Sequence, residues 1–395
     1  MDRRKMKNEI IERCYKKSVE LLIKNSTDFG ILASSPSGRA VKRSYLSIFG
    51  RDASICALGM IASGNRELIK IAKKSLVTLA KHQTEFGQMP NYVKPKENQV
   101  DFWRTDCVDS NLWWLLVLKF YDWFSGDKRL LKSLNKKIDK AIFWLSCQEH
   151  PKSHLLVQNE ASDWADLMPR SGKVLYSNAL WAKVKTLYKV KDFKKTKDFF
   201  NGLLHPFSSG FKNVNRRSQN TIELIRKKMK PTNYYLSFIN FKFWGEDIDV
   251  YGNSLAILFG LADKKLEERI VKFLTKKRKL KNMPMPVLFN PIKENSKSWR
   301  EYMKDHSQNY PYQYHNGGIW PYTACFWAMA LARAGHKRQA WQEMERIAQA
   351  NSINNWQFNE WFYGRTGKPM GMAGQSWNAG AFLLAYHYLK GEVKI

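Results

Sequence analysis

Apolar residues recur every three to four positions along most of this chain, which is the spacing of helices that bury one face. Alternating strands of useful length are missing from the pattern, although residues 208–247 are ambiguous and are expected to hold irregular or short extended structure. The sequence therefore predicts an all-α protein, with helices over residues 10–23, 55–61, 68–79, 112–121, 130–145, 175–188, 193–203, 255–261, 266–274, 319–331, 340–348 and 379–389.

The predicted helices between residues 55 and 348 fall into consecutive pairs joined by short turns, and long loops separate one pair from the next. The first helix lacks a preceding partner and the last lacks a following one. If these two pair with each other, six helical hairpins close into an (α/α)6 toroid of alternating inner and outer helices. An open α-solenoid is the alternative, which the elaborate, non-repeating loops disfavour. We expect one domain over residues 1–395, with an irregular insertion around residues 205–248.

Polar and aromatic residues are concentrated in the loops that precede the predicted inner helices. Because the N-terminal ends of inner helices lie at one end of such a ring, these loops are expected to converge there. The segments are Phe49-Gly-Arg-Asp52, Asp106-Cys-Val-Asp109, Asp163-Trp-Ala-Asp166 with Met168-Pro-Arg-Ser-Gly-Lys173, Glu246-Asp-Ile-Asp-Val-Tyr-Gly-Asn253, His315-Asn-Gly-Gly-Ile-Trp-Pro321, and Asn359-Glu-Trp-Phe-Tyr-Gly-Arg365 through Gln375-Ser-Trp377.

The chemistry of these loops suits a sugar. Aromatic faces stack on the C–H faces of a pyranose, and carboxylate, amide and guanidinium groups exchange hydrogen bonds with its hydroxyls. Hydrolysis of a glycosidic bond requires two carboxyl groups with different duties, one protonated and one ionised. The third and sixth loops both carry carboxylates and stand opposite each other in a six-membered ring.

Several segments also resemble a known group of proteins. Three parts of the chain are similar to glycogen-debranching amylo-α-1,6-glucosidases. They are Phe49–Asp52, His315–Pro321, and the segment Asp163-Trp-Ala-Asp-Leu167 followed by Pro169-Arg-Ser-Gly-Lys173 and Asn178-Ala-Leu-Trp181. Val108-Asp-Ser-Asn-Leu-Trp-Trp114 resembles neutral invertases, and Asn359–Phe362 with Gln375–Trp377 resembles the general-base segment of the wider group. The chain thus resembles toroidal glycoside hydrolases, which also include processing α-glucosidases, over roughly residues 45–390.

The resemblance implies an inverting hydrolase of α-glucosidic oligosaccharides or disaccharides, with Asp166 as general acid and Glu360 as general base. Asp163 and Glu160 are the rivals of Asp166 for the role of general acid. The alternative role for Asp166 is to cap a helix. Other interpretations are a neutral-invertase-like sucrose hydrolase (a β-fructofuranosidase) and a non-catalytic sugar-binding toroid. The residues expected to bind the sugar are Phe49, Arg51, Asp52, Asp106, Asp109, Trp114, Trp164, Arg170, Lys173, Asn178, His315, Asn316, Trp320, Trp361, Gln375 and Trp377. Arg51, Asp52, Asp106 and Asp109 are equally suited to ion pairs that staple the ring.

The net charge of +31 raises the question of a nucleic-acid or membrane partner. The 46 lysines outnumber the 20 arginines and are spread along helical segments, which is typical of solvated outer faces and not of a nucleic-acid groove. We expect a small carbohydrate as the partner, with no nucleic acid or membrane, and an undetermined oligomeric state. Five scattered cysteines and a charged N-terminal segment predict a cytoplasmic protein. The histidine spacing predicts neither a metal nor another cofactor.

Overall fold

The computed structural model describes residues 3–103, 106–208 and 215–395, with side chains from residue 9 onward. Helices dominate these residues. In chain order the α-helices are α1 (Arg3–Lys24), α2 (Gly38–Lys42), α3 (Gly50–Ala62), α4 (Arg66–Lys81), α5 (Asp109–Phe124), α6 (Arg129–Ser133), α7 (Asn135–Cys147), α8 (Leu175–Tyr188), α9 (Phe193–Leu204), α10 (Arg216–Lys228), α11 (Val250–Leu258), α12 (Lys264–Lys277), α13 (Pro321–Arg333), α14 (Lys337–Trp356) and α15 (Ser376–Lys390).

Six of these helices form a closed inner ring. Each packs against the next in the order α3, α5, α8, α11, α13 and α15, and α15 packs back against α3. The outer helices α4, α7, α9, α12 and α14 each contact the inner helix that precedes them, and α1 packs against α14 and α15. The predicted (α/α)6 toroid is confirmed, including the pairing of the first and last helices.

The two layers differ in how their apolar residues are arranged. Inner helix α3 buries almost every residue from Asp52 to Ile61, because it is covered by neighbours on all sides. Outer helix α4 instead has an apolar stripe that contains Leu68 and Leu76, while Lys70 and Lys74 are exposed on the opposite face. Asn65 caps its N-terminus by accepting from the backbone N–H groups of residues 67 and 68. The outer layer thus carries lysines on a solvated face.

Two glycines allow the ring to close. A Cβ atom added to Gly59 of α3 would lie 1.8 Å from the carbonyl oxygen of Gly380 in α15. In return, a Cβ atom added to Gly380 would lie 2.5 Å from the Cα atom of Cys56. The backbones of α3 and α15 therefore approach so closely that neither glycine position accommodates a side chain without displacement of a helix.

Short strands connect the loops at the mouth of the ring. They are Ser26–Thr27, Gly30–Ile31, Ile48–Phe49, Tyr92–Lys94, Gln99–Asp101, Lys173–Val174, Phe238–Asn240, Phe243–Trp244, Ile248–Asp249, Leu288–Phe289, Trp361–Phe362 and Pro369–Met370, all in antiparallel pairs. Two-residue strands give no recognisable alternation in a sequence, which explains why the pattern did not predict them. In the segment around residues 205–248, helix α10 also forms where only irregular or extended structure was expected.

Within the described residues, no helix combines the length and the apolar character that crossing a lipid bilayer requires.

Candidate active site

The N-terminal turns of the inner helices bring six side chains into a closed circle, which we call the floor ring. Five are the second residues of their helices, and the sixth begins α5: Arg51, Asp109, Tyr176, Tyr251, Tyr322 and Trp377. Trp377 stacks on Tyr322 with centroids 4.0 Å apart, and Tyr251 lies 5.6 Å from Tyr322 and 5.3 Å from Tyr176. Tyr176 donates to Asp109 Oδ2 at 3.3 Å, and Arg51 Nη1 lies 3.2 Å from the same oxygen. Arg51 completes the circle over the Trp377 ring at 5.7 Å.

The floor ring confirms that the six loops converge at one end of the toroid. Nearly all of its members are buried, so burial raises the pKa of each tyrosine hydroxyl well above its usual value. These hydroxyls therefore remain protonated and are available as hydrogen-bond donors.

The third loop leaves one carboxyl group uncommitted. Asp163 forms a buried ion pair with Arg170, and Glu160 forms an ion pair with Arg300 at 2.9 Å. Asp166, by contrast, makes no hydrogen bond with any described residue, and His315 Nδ1 lies 3.5 Å from its Oδ1. The two rivals of Asp166 are thus both paired with arginines.

The surroundings of Asp166 raise the pKa of its carboxyl group towards neutrality. Its side chain is 40% exposed at the edge of the site, with protein on its other sides. Removal from bulk water raises its pKa to about 7; Arg51 opposes this shift, whereas the negative charges of Asp163 and Glu360 add to it. Burial with nearby Arg170 and Arg51 lowers the pKa of His315 well below its usual value, so the imidazole beside Asp166 is neutral. A neutral imidazole carries no positive charge that would lower the pKa of the neighbouring carboxyl group.

Glu360 is held on the opposite side of the ring, in the loop before α15, and is 3% exposed. The Tyr45 hydroxyl donates to Oε1 at 2.5 Å, and the backbone N–H of Met372 donates to Oε2 at 2.8 Å. Burial raises the pKa of Glu360, while these two hydrogen bonds lower it. Both bonds stabilise the carboxylate, and they fix its orientation.

Aromatic side chains line the space above the floor ring. Trp164 contacts His315 with centroids 4.8 Å apart and Tyr322 with centroids 5.8 Å apart. His315 stacks on Trp320 at 5.3 Å, and the Trp361 ring lies 5.9 Å from that of Tyr314. This lining offers both apolar faces and indole N–H groups.

Many buried polar atoms here have no hydrogen-bond partner within the described parts of the chain. They are Asp52 Oδ1, Trp164 Nε1, Tyr251 Oη, Tyr322 Oη, Trp361 Nε1, Trp377 Nε1, and both amide atoms of Gln375. Buried polar groups are ordinarily satisfied, because leaving one unpaired costs about 1–3 kcal/mol. A cluster of unpaired donors and acceptors among aromatic rings is a site for a ligand rich in hydroxyl groups.

The structure brings most of the predicted sugar-binding residues to this end of the ring. Those beside a candidate carboxyl group, in the floor ring or in the aromatic lining are Phe49, Arg51, Asp52, Asp109, Trp164, His315, Trp320, Trp361, Gln375 and Trp377. Two of them also hold the ring together: Asp109 pairs with Arg51 inside the floor ring. Asp106 accepts hydrogen bonds from Ser162 and from the backbone of Asn159, so it positions the third loop.

Other predicted sugar ligands are corrected, because their polar atoms are bound elsewhere. The Trp114 indole donates to the carbonyl of Leu76 in outer helix α4, on the far side of α5. Asn178 bonds the backbone of Leu156 and Val174, and Asn316 bonds the backbone of Ile292 and Asn309.

Two further predicted sugar ligands, Arg170 and Lys173, make their contacts outside the floor ring and the aromatic lining. Arg170 is buried between Asp163 and Asp249, with Nη1 3.1 Å from Asp249 Oδ2. Lys173 lines a separate cavity of about 130 Å³ with Phe241 and residues of α10.

Tyr45, Tyr314 and the tyrosines of the floor ring belong to the site, although none was among the residues expected to bind the sugar. Of these, only Tyr251 falls in a segment that was expected to converge there. Tyr176, Tyr251 and Tyr322 share a signal that a sequence does contain, since each follows the first residue of an inner helix. Tyr314 directly precedes the predicted His315 segment. Tyr45 has no such signal, because its partner lies 315 residues away.

The profile of the family described as alkaline and neutral invertase matches residues 215–391, a segment that contains Glu360 but not Asp166. A curated relative, neutral/alkaline invertase 1, mitochondrial, of Oryza sativa subsp. japonica, is 27% identical over 137 residues. That alignment covers 33% of this chain and only 21% of the rice protein.

Solved structures resemble the chain over almost its full length. The GH63 mannosylglycerate hydrolase of Thermus thermophilus, solved in complex with glucose, has a TM-score of 0.67 at 13% identity and covers 93% of this chain and 98% of its own. A protein described as a wild-type glycosidase has a TM-score of 0.63 at 12% identity and covers 99% of both chains. At these identities the likeness shows the fold. Together with the family profile, the comparisons confirm the predicted resemblance to the toroidal glycoside hydrolases.

Proposed function

We propose that this chain is an inverting glycoside hydrolase of small α-glucosides, with Asp166 as general acid and Glu360 as general base. The observation that carries the proposal is the contrast between the two carboxyl environments across the ring. Asp166 has a pKa of about 7 and no hydrogen bond from a described residue, whereas Glu360 accepts hydrogen bonds from Tyr45 and Met372. This contrast supports our proposal of Asp166 as the acid and Glu360 as the base.

The reaction follows from these environments. Asp166 donates its proton to the glycosidic oxygen, so that the leaving sugar departs as an alcohol. Glu360, oriented by its two hydrogen-bond donors, removes a proton from a water molecule that attacks the anomeric carbon from the opposite face. The developing positive charge of the glycosyl group is stabilised by Asp52 and Glu360, and the unpaired Tyr251 and Tyr322 hydroxyls bind the sugar hydroxyls.

The aromatic rings around the candidate carboxyl groups support a small substrate. Trp164 packs against Tyr322 of the floor ring, and a single glycosyl unit presents enough hydroxyls for the unpaired atoms there. Exo-acting cleavage is expected if the floor ring closes the inner end of the site, because the chain end of a saccharide must then enter first.

Sucrose hydrolysis is the second candidate, favoured by the alkaline and neutral invertase profile over residues 215–391 and by the rice relative. Sucrose is itself an α-glucoside, so the two candidates differ in which side of the bridging oxygen is broken. A β-fructofuranosidase breaks the bond to the fructosyl carbon, whereas an α-glucosidase breaks the bond to the glucosyl carbon.

Incubation with sucrose, trehalose, maltose, isomaltose, panose and limit dextrin tests the proposal. Release of glucose from at least one α-glucoside other than sucrose supports it, and the absence of hydrolysis across the panel would contradict it in favour of a non-catalytic sugar-binding toroid. For sucrose, the reaction in H₂¹⁸O identifies the broken bond: ¹⁸O in glucose indicates glucosyl transfer to water, and ¹⁸O in fructose indicates a β-fructofuranosidase. The Asp166→Asn variant is the negative control.

The predicted cytoplasmic location and single domain remain proposals. The rice relative is described as mitochondrial, so it gives no support to a cytoplasmic location.

A further inference from the structure

A second cavity lies beside the third loop, outside the floor ring. It has a volume of about 640 Å³ and is bounded by residues 238–247 on one side and residues 290–298 on the other, with Pro169 at one edge. A volume of this size accommodates a small organic ligand. No residue of the floor ring and neither candidate catalytic carboxyl group lines it.

The base of this cavity contains polar atoms that lack partners. Asp247 is 6% exposed; its Oδ1 accepts from Ser237 at 2.6 Å, but its Oδ2 has no hydrogen bond from any described residue. Trp244 also lines the cavity, and its buried indole N–H is likewise unpaired in the described structure. An acceptor and a donor beside an aromatic ring suit the hydroxyls and the apolar face of a sugar.

The rim has a different character. Four exposed lysines stand around the opening: Lys228, Lys242, Lys293 and Lys297. None of them forms an ion pair with a carboxylate in the described parts of the chain, and the only acidic residues in the lining are Glu246 and Asp247. The ammonium groups therefore leave the opening with an excess of positive charge, which attracts anions.

The walls are held in place by contacts to other loops. Asn316 fixes Ile292 through hydrogen bonds to both its N–H and its carbonyl at 2.8 Å. Gly245 passes so close to Ser237 that an added Cβ atom would lie 1.9 Å from Oγ. A site that is shaped before the ligand arrives loses less entropy on binding.

We propose that this cavity is a binding site for an anionic saccharide, meaning a single sugar ring that carries a phosphate or a carboxylate. The ring lies on Trp244 with a hydroxyl donated to Asp247, and the anionic group faces the lysines at the rim. The orientation follows from charge, because the buried Asp247 repels an anion at the base. This site is separate from the proposed hydrolytic centre and stands whether or not the chain hydrolyses glycosides.

The test is calorimetric titration of the full chain with glucose 6-phosphate, glucuronate, glucose and inorganic phosphate. Both anionic sugars are expected to bind more tightly than glucose or phosphate by about tenfold, and their affinity should fall as salt rises. The Lys293→Ala/Lys297→Ala variant should bind glucose 6-phosphate at least about fivefold more weakly than the unaltered chain. Asp247→Asn should reduce the difference in affinity between glucose 6-phosphate and inorganic phosphate, because that difference depends on contacts to the sugar. Lys272→Ala/Lys276→Ala, on the exposed face of α12, is the control of equal charge and should bind like the unaltered chain.

Three results would overturn the proposal. Inorganic phosphate that binds as tightly as glucose 6-phosphate would show that the lysines attract any anion. Equal weakening by the α12 control would show that only net charge matters. Loss of binding in Asp166→Asn, with no loss in Lys293→Ala/Lys297→Ala, would place the ligand in the hydrolytic centre instead. Retained binding in Asp166→Asn supports a separate site, even if no glycoside is hydrolysed.

Discussion

The hydroxyl of Tyr45 donates a 2.5 Å hydrogen bond to Oε1 of Glu360 across 315 residues of sequence. Tyr45 lies before the first inner helix and Glu360 before the last, so closure of the ring makes this bond possible. Burial raises the pKa of Tyr45 well above its usual value, which keeps the hydroxyl a donor. The bond therefore stabilises the ionised form of Glu360 that a general base requires.

Replacement of Tyr45 by phenylalanine is expected to raise the pKa of Glu360, because a donor to the carboxylate is lost. A charge-assisted hydrogen bond to a carboxylate is worth about 1.5–3 kcal/mol, so its loss favours the protonated form of Glu360. The acidic limb of the kcat/KM profile should therefore move to higher pH. Tyr15→Phe, which alters a contact to His387 on the outside of the ring, is the control and should leave the profile unchanged. An unshifted limb in Tyr45→Phe would show that Glu360 is not the group titrating there.

Asp166→Asn and Glu360→Gln should each reduce kcat by several orders of magnitude, roughly 10²–10⁴-fold, since an amide can neither donate the proton nor accept it. Sugar binding and the circular dichroism spectrum should persist. Asp139→Asn, at an exposed position of α7, is the matched control and should retain full activity. Near-normal turnover by either active-site variant would show that its residue has no role in proton transfer.

The pKa of Asp166 links stability to pH. Its folded value of about 7 exceeds the ordinary value of 3.8, so the folded state binds more protons than the unfolded state between these limits. The contribution of Asp166 to stability therefore falls as pH rises from about 4 to 7. Asp166→Asn removes this cost, so its Tm should exceed that of the unaltered chain at pH 8 by more than it does at pH 5. Equal Tm differences at both pH values would contradict the raised pKa.

The first helix and the residue after it are bound to the last inner helix, α15, since Asn25 donates to Ser376 at 2.8 Å and Tyr386 donates to Glu12 at 2.6 Å. Deletion of residues 1–25 should expose the apolar surface of α14 and α15 and cause unfolding or aggregation. Gly380→Ala should lower Tm by a smaller amount, because its methyl group meets Cys56 of α3. A truncated chain with the melting curve of the full chain would show that the toroid does not need this pairing.

The helical architecture could be predicted from the sequence because a helix that buries one face has apolar residues at a regular spacing. Outer helices such as α4 have a clear apolar stripe, and the short turns between partners revealed the pairing. The short strands and α10 were not accessible in the same way. Strands of two residues show no alternation, and the basic, polar sequence of α10 buries only Ile222 and Ile225.

The site was only partly accessible, because a motif shows which loop matters but not where each side chain points. Adjacent residues on a helix differ by about 100° in direction, so Trp113 bonds Tyr176 inside the ring while Trp114 bonds Leu76 outside it. Asn178 and Asn316 belong to segments that resemble those of known enzymes, yet both satisfy backbone groups. Such roles depend on contacts between distant segments, which a single sequence does not contain.

The anomeric form of the first product tests the central claim most directly. If Asp166 and Glu360 act from opposite sides of the ring, a water molecule fits between Glu360 and the anomeric carbon, and the carboxyl groups stand about 6.5–9.5 Å apart. Proton NMR of a cleaved α-glucoside, recorded before mutarotation, should then show β-glucose first, and no glycosyl-enzyme should accumulate. Initial release of α-glucose, or a sugar ester trapped on Glu360, would show that Glu360 attacks the sugar directly and would contradict the inverting mechanism.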